Sequence, residues 1–96
     1  MVEVSVKLLG TLREFTGGKV IRLRFNAEPR VGDIIQSLAA DLGPAFEKIF
    51  LDPANRGSLY HALILVEGFE IGVLQGMETP VRDGEEVVIL PVSHGG

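Results

Sequence analysis

Few positions in this 96-residue sequence could carry chemistry. His61 and His94 lie far apart and show no metal-ligand spacing, so no metal site is expected. His61 reads as a packed or surface side chain of a strand, and His94 as part of an exposed spacer. Ser93 and His94 are adjacent, unlike a nucleophile and its base, which meet through the fold with defined geometry. Gly17-Gly18-Lys19 lacks the earlier glycine and the following Ser or Thr of a phosphate loop, and reads as a turn. Glu85-Glu86 reads as a solvated acidic face rather than as convergent catalytic carboxylates. With no cysteine, the chain has no thiol nucleophile, no disulfide and no Cys-ligated zinc or iron–sulfur centre.

The sequence ends in Gly95-Gly96. Without a Cβ these residues adopt nearly any φ/ψ and can thread a narrow channel in a partner. The α-carboxylate then arrives unshielded where an enzyme can activate it. The competing reading is a frayed terminus, and the diglycine alone does not separate the two.

Length and composition describe one soluble domain, 46% hydrophobic and 23% charged. The net charge of −4 argues against a nucleic-acid surface, which needs clustered Lys and Arg, and suggests that a protein partner would present a basic face. No apolar run approaches the roughly 20 residues that span a bilayer. Met1 to Leu9 carries Glu3 and no basic leader, so no signal peptide and no membrane association are expected. A cytoplasmic protein is the expectation.

The elements that must position the tail follow from periodicity. Val2, Val4, Val6 and Leu8 alternate with Glu3, Ser5, Lys7 and Leu9, the pattern of a half-buried strand. Thr11–Phe15 connects to a Thr16-Gly17-Gly18 turn. A second strand then places Ile21, Leu23 and Phe25 inward, antiparallel to the first. Val31, Ile34, Ile35, Leu38, Ala39 and Leu42 form one apolar helical stripe, stopped by Gly43-Pro44. Phe46, Ile49 and Phe50 suggest one or two further turns, and residues 52–58 read as a surface loop. Leu59–Val66 reads as a buried strand, Glu67-Gly68 as a hairpin turn, and Phe69-Glu70-Ile71 as its return. Residues 72–80 read as irregular. Val87–Leu90, closed by Pro91, is the final strand. One main helix on a mixed sheet of four or five strands is a two-layer α+β domain. It covers residues 1–91, with 92–96 as a flexible tail.

Alternation also predicts an interface. If the helix covers Val87 and Ile89, then Val88 and Leu90 lie on the open face, and Leu9 faces away from the core-facing valines. These residues, joined by Phe69, would make an exposed apolar patch of the kind that marks a protein contact.

Several stretches together resemble the small subunit of molybdopterin synthase, a ubiquitin-like β-grasp sulfur carrier. They are Leu12-Arg13-Glu14-Phe15 after the first strand, Val31-Gly32-Asp33-Ile34 opening the helix and Val66-Glu67-Gly68 at the hairpin. The most specific is the run from Thr79 through Asp83-Gly84-Glu85-Glu86 to Leu90-Pro91-Val92-Ser93-His94-Gly95-Gly96. The resemblance covers essentially the whole chain and is nearest to archaeal members, some of which also modify proteins. It implies parallel first and last strands side by side at the centre of the sheet. It implies that a ubiquitin-activating-type adenylyltransferase uses ATP to adenylate the Gly96 carboxylate, which a sulfur donor converts to a thiocarboxylate. Pro91, Val92, Ser93, His94 and Gly95 would then enter the large subunit of molybdopterin synthase. Leu9, Arg13, Phe69, Val88 and Leu90 would contact the partners. No catalytic site and no bound cofactor are expected within the chain itself.

Three departures stand out. Val92 follows Pro91 where relatives often carry a second proline, and His94 occupies a position usually held by a small residue. Arg30 replaces the Ser or Thr helix cap, which predicts loss of the capping box. The same activated carboxylate would serve a protein modifier joined through Gly96 to target lysines, so the sequence leaves both readings open. A thiamine-pathway carrier, usually shorter, and a plain ubiquitin-fold interaction domain are further alternatives.

Overall fold

The computed structural model of the chain describes residues 1–51 and 62–91. Strand β1 (Val2–Leu8) realises the alternation: Val4, Val6 and Leu8 are buried, while Ser5 and Lys7 face the other way. β2 (Ile21–Phe25) pairs with it antiparallel, Val4 opposite Leu23 and Val6 opposite Ile21. The stretch between them is more ordered than a simple connection. Gly10–Phe15 winds as a 3-10 helix that seats Leu12 in the core.

Helix α1 (Val31–Leu42) buries Val31, Ile34, Ile35, Leu38 and Ala39, the stripe read from the sequence. Each large aliphatic residue in it contributes about 1.5–3 kcal/mol relative to exposure, so the stripe outweighs any cap. The capping box is only half lost. Arg30 carries donors alone and cannot accept from the first-turn N–H groups, but the Asp33 carboxylate accepts the Arg30 N–H at 2.8 Å. The Arg30 guanidinium turns instead to Glu78, at 2.9 Å. Gly43, at φ 96°, reverses the chain into α2 (Pro44–Leu51), whose Phe46 is fully buried. Phe46 meets Phe15 edge to face, with ring centroids 5.4 Å apart.

β3 (Ala62–Val66) and β4 (Phe69–Glu70) form the hairpin. Its turn residues Glu67 and Gly68 both have positive φ, 49° and 87°, as the tightest two-residue turns require. The expected start of β3 at Leu59, His61 and the loop at 52–58 all lie outside the described residues. The return strand stops at Glu70: Ile71, expected within it, opens a 3-10 turn, Ile71–Val73, and a second, Gly76–Glu78, lies in the segment expected to be irregular. Buried Thr79 secures the second: its hydroxyl donates to the Gly76 carbonyl at 2.7 Å and accepts the Gln75 N–H at 3.0 Å. The Thr79 carbonyl then accepts the Val31 N–H at 2.9 Å, and the Val81 N–H donates to the Pro29 carbonyl at 2.9 Å. This crossover therefore pins the start of α1.

β5 (Glu86–Pro91) completes a five-stranded sheet in the order β2-β1-β5-β3-β4. β1 and β5 run parallel, Val6 beside Val87 and Leu8 beside Ile89, so the first and last strands lie side by side inside the sheet as the β-grasp arrangement requires. Val87, Ile89 and Ile64 join the helix stripe in one core on one side of the sheet. Among the described residues no helix is long and apolar enough to cross a membrane.

Candidate functional site

The core covers one face of the sheet, and register fixes what the other face carries. Val88 stands beside Lys7 on β1 and opposite Leu65 on β3. Leu90 stands opposite Leu63. Leu9 extends this row past the end of β1, its N–H donating to the Ile89 carbonyl at 2.9 Å. Val88, Leu90, Leu65 and Leu9 are half-buried and Leu63 is 40% exposed, while Val87 and Ile89 between them are fully buried. The apolar open face therefore holds the expected Leu9, Val88 and Leu90, and adds Leu63 and Leu65. A continuous apolar run such as Ala62–Val66 hides which residues point outward, and only its pairing with β5 reveals them.

Phe69 does not join this patch. It pairs with Val66, whose side chain lies in the core, so Phe69 projects from the helix-bearing side, 62% exposed. There it borders a groove of about 420 Å³ with Val66, Leu74, Thr79 and Pro80. The turn at Glu67-Gly68 sets this register, and the sequence pattern alone did not show which face the two-residue return strand would present.

The open face is apolar where the tail leaves and polar at the far end of β1. Glu3 and Arg24 pair there at 3.1 Å, with Ser5, Arg22 and Glu86 in the next row. Lys7, Arg22 and Arg24 share this face with Glu3, Glu70 and Glu86, and Glu67 follows at its edge opposite Glu86, so the face carries both signs of charge. Arg13 is exposed in the Gly10–Phe15 turn, its guanidinium lying against Gly18 and in no ion pair among the described residues.

Pro91, half-buried at the end of β5, is the last described residue before Val92, Ser93, His94, Gly95 and Gly96, which lie outside the described residues. Its ring packs on Gly10, so the root of the tail sits beside Leu9 and Leu90. What the fold brings together is thus an apolar platform and the end of the last strand, at Pro91.

These features belong to a recognisable class. No family model matches the chain. It is 30% identical over 95 residues to small archaeal modifier protein 3 of Haloferax volcanii, a match covering 99% of this chain and 100% of that protein. It is 29% identical over 96 residues to sulfur carrier protein CysO of Mycobacterium tuberculosis, with 99% and 100% covered. The solution structure of small archaeal modifier protein 1 from Methanosarcina acetivorans superposes with a TM-score of 0.80 at 33% identity, covering 100% of this chain and 98% of that one. A putative molybdopterin converting factor subunit 1 from Pyrococcus furiosus shares the fold, with a TM-score of 0.68 at 20% identity over 97% of this chain and 100% of that one. The chain belongs to the ubiquitin-like sulfur carrier and modifier family, and its fold is the ubiquitin-like β-grasp.

Proposed function

We propose that this chain is a sulfur carrier whose working group is the Gly96 carboxylate. A carboxylate is a poor electrophile, so a ubiquitin-activating-type adenylyltransferase first makes it reactive. The carboxylate oxygen attacks the α-phosphorus of ATP and pyrophosphate leaves. Hydrosulfide, or a donor equivalent to it, then attacks the acyl carbon. AMP departs with one oxygen, leaving a thiocarboxylate. The chain supplies the acyl end and a docking surface, and the partner supplies the catalysis, which is why no catalytic constellation is needed here.

The observation that carries this reading is the position of the apolar face at the end of β5. Leu9, Leu63 and Leu90 form its last row, and β5 runs from that row to Pro91, which the diglycine follows four residues on in the sequence. A protein seated on the face is in place to receive the tail. The recipient of the sulfur is the large subunit of molybdopterin synthase, a reading supported by the Thr79–Gly96 run and by the fold shared with the Pyrococcus protein.

A second reading has its own support. The Haloferax relative is named a modifier, and the same adenylate attacked by a lysine amine instead of hydrosulfide gives an isopeptide bond through Gly96. Intact mass measurement of the protein isolated from its native host separates the two. A carrier shows one oxygen of Gly96 replaced by sulfur, whereas a modifier shows Gly96 joined to lysines of other proteins.

A further inference from the structure

We infer that Lys7 is a specificity residue of the docking face, and that the activating adenylyltransferase sets an aspartate or glutamate carboxylate against it within an otherwise apolar contact. This rests on the docking reading above and adds what the partner must offer.

Lys7, Val88 and Leu65 are consecutive across three adjacent strands. Leu9 follows Lys7 on the same face of β1. A surface that covers Val88, Leu65 and Leu90 therefore lies against Lys7 as well. Lys7 is exposed, and the two ion pairs among the described residues, Arg24 with Glu3 and Arg30 with Glu78, do not involve it. An ammonium pressed into an apolar contact without a counter-charge is strongly unfavourable.

Among the described residues there is little relief. A lysine stem can lie along an apolar surface and carry its head to the rim. Toward β2, however, the same face holds Arg22 and Arg24, and Glu3 is already engaged by Arg24. Glu86 sits one row away beside Ser5 and makes no ion pair with Lys7. Glu70 lies in the same row, but on the far side of Val88 and Leu65. The complementary charge therefore comes from the other protein. A partner with only apolar side chains at this point is rejected, which makes Lys7 a filter on which partners the apolar row accepts.

The test uses the full chain and the purified adenylyltransferase of the same organism, without ATP, so that docking alone is read by calorimetry. Lys7→Met keeps the length of the stem and removes the charge; it should weaken binding by about 30-fold or more, the low end for truncating one partner of a covered charge pair. Lys7→Arg should restore most of the loss. A zero-length carbodiimide should couple the Lys7 Nζ to a carboxylate of the enzyme, located by peptide mass spectrometry. Lys7→Met binding as tightly as the unaltered chain, or cross-linked complex without a Lys7 linkage, would overturn the assignment. Leu90→Asp is the companion measurement. If it weakens docking and Lys7→Met does not, only the role of Lys7 falls. If neither changes docking, the face itself is not the docking surface.

Discussion

Gly10 and Pro91 touch where the parallel strands β1 and β5 finish side by side. A Cβ at residue 10 would lie 2.8 Å from Pro91 Cγ and 3.0 Å from Cδ, and Gly10 has φ +59°. Both facts exclude a side chain there, one by contact and one by backbone conformation. Gly10→Ala should therefore lower stability by about 1–3 kcal/mol, combining the left-handed backbone penalty with displacement of the proline ring. Pro91→Ala in the same molecule should recover the part due to the ring, leaving the backbone part. Urea denaturation of the single and double variants measures this, and strictly additive losses would show that the ring contact carries no energy.

Leu90→Asp should weaken complex formation with the activating enzyme by about 1–4 kcal/mol, the range for apolar interface anchors. Leu90 lies on the open face, away from fully buried Ile89, so the thermal midpoint should change little. A large fall in stability with docking per folded molecule intact would move Leu90 from the interface to the core.

Phe69→Ser tests the division between the faces. Because Phe69 pairs with Val66 and borders the groove on the helix-bearing side, docking through the open face should be unaffected. A loss of affinity comparable to that of Leu90→Asp would show that the partner wraps around the β4 edge.

Asp33→Ala removes the carboxylate that accepts the Arg30 N–H and sits in the first turn of α1. The expected cost is about 0.5–2 kcal/mol, a cap-sized effect rather than a core-sized one. No change in the denaturation midpoint would mean that the Thr79 and Pro29 carbonyl contacts alone hold the start of the helix.

Much of the fold was legible because each element carried one clear period. The valines of β1 alternate, the stripe from Val31 to Leu42 repeats at helical spacing, and Val88 and Leu90 read as outward once Val87 and Ile89 were assigned to the core. What was missed depended on contacts distant in sequence. Leu63 and Leu65 were hidden in an apolar run with no alternation, and Phe69 was misplaced because its face is set by a turn rather than by a pattern. The hydrogen bond of Asp33 was not legible because Arg30 breaks the Ser or Thr signature from which a capping box is read, while the acceptor three residues on remains. The isolation of Lys7 required knowing its neighbours on β5 and, beyond that strand, on β3.

The Gly96 carboxylate is the working group of the proposed carrier, and one reconstitution tests it. The full chain is incubated with ATP, the activating enzyme and a sulfur source, beside a variant bearing one extra residue after Gly96 and a Gly95→Val variant. Intact mass spectrometry should show one oxygen replaced by sulfur in the unaltered chain, localised to Gly96 by fragmentation. The extended chain should gain nothing, because its carboxylate is displaced from the position the enzyme activates. Gly95→Val should charge poorly, because a β-branched side chain narrows φ/ψ and widens a segment that must enter a channel. An extended chain that still gains sulfur, or an unaltered chain that gains none, would contradict the carrier reading.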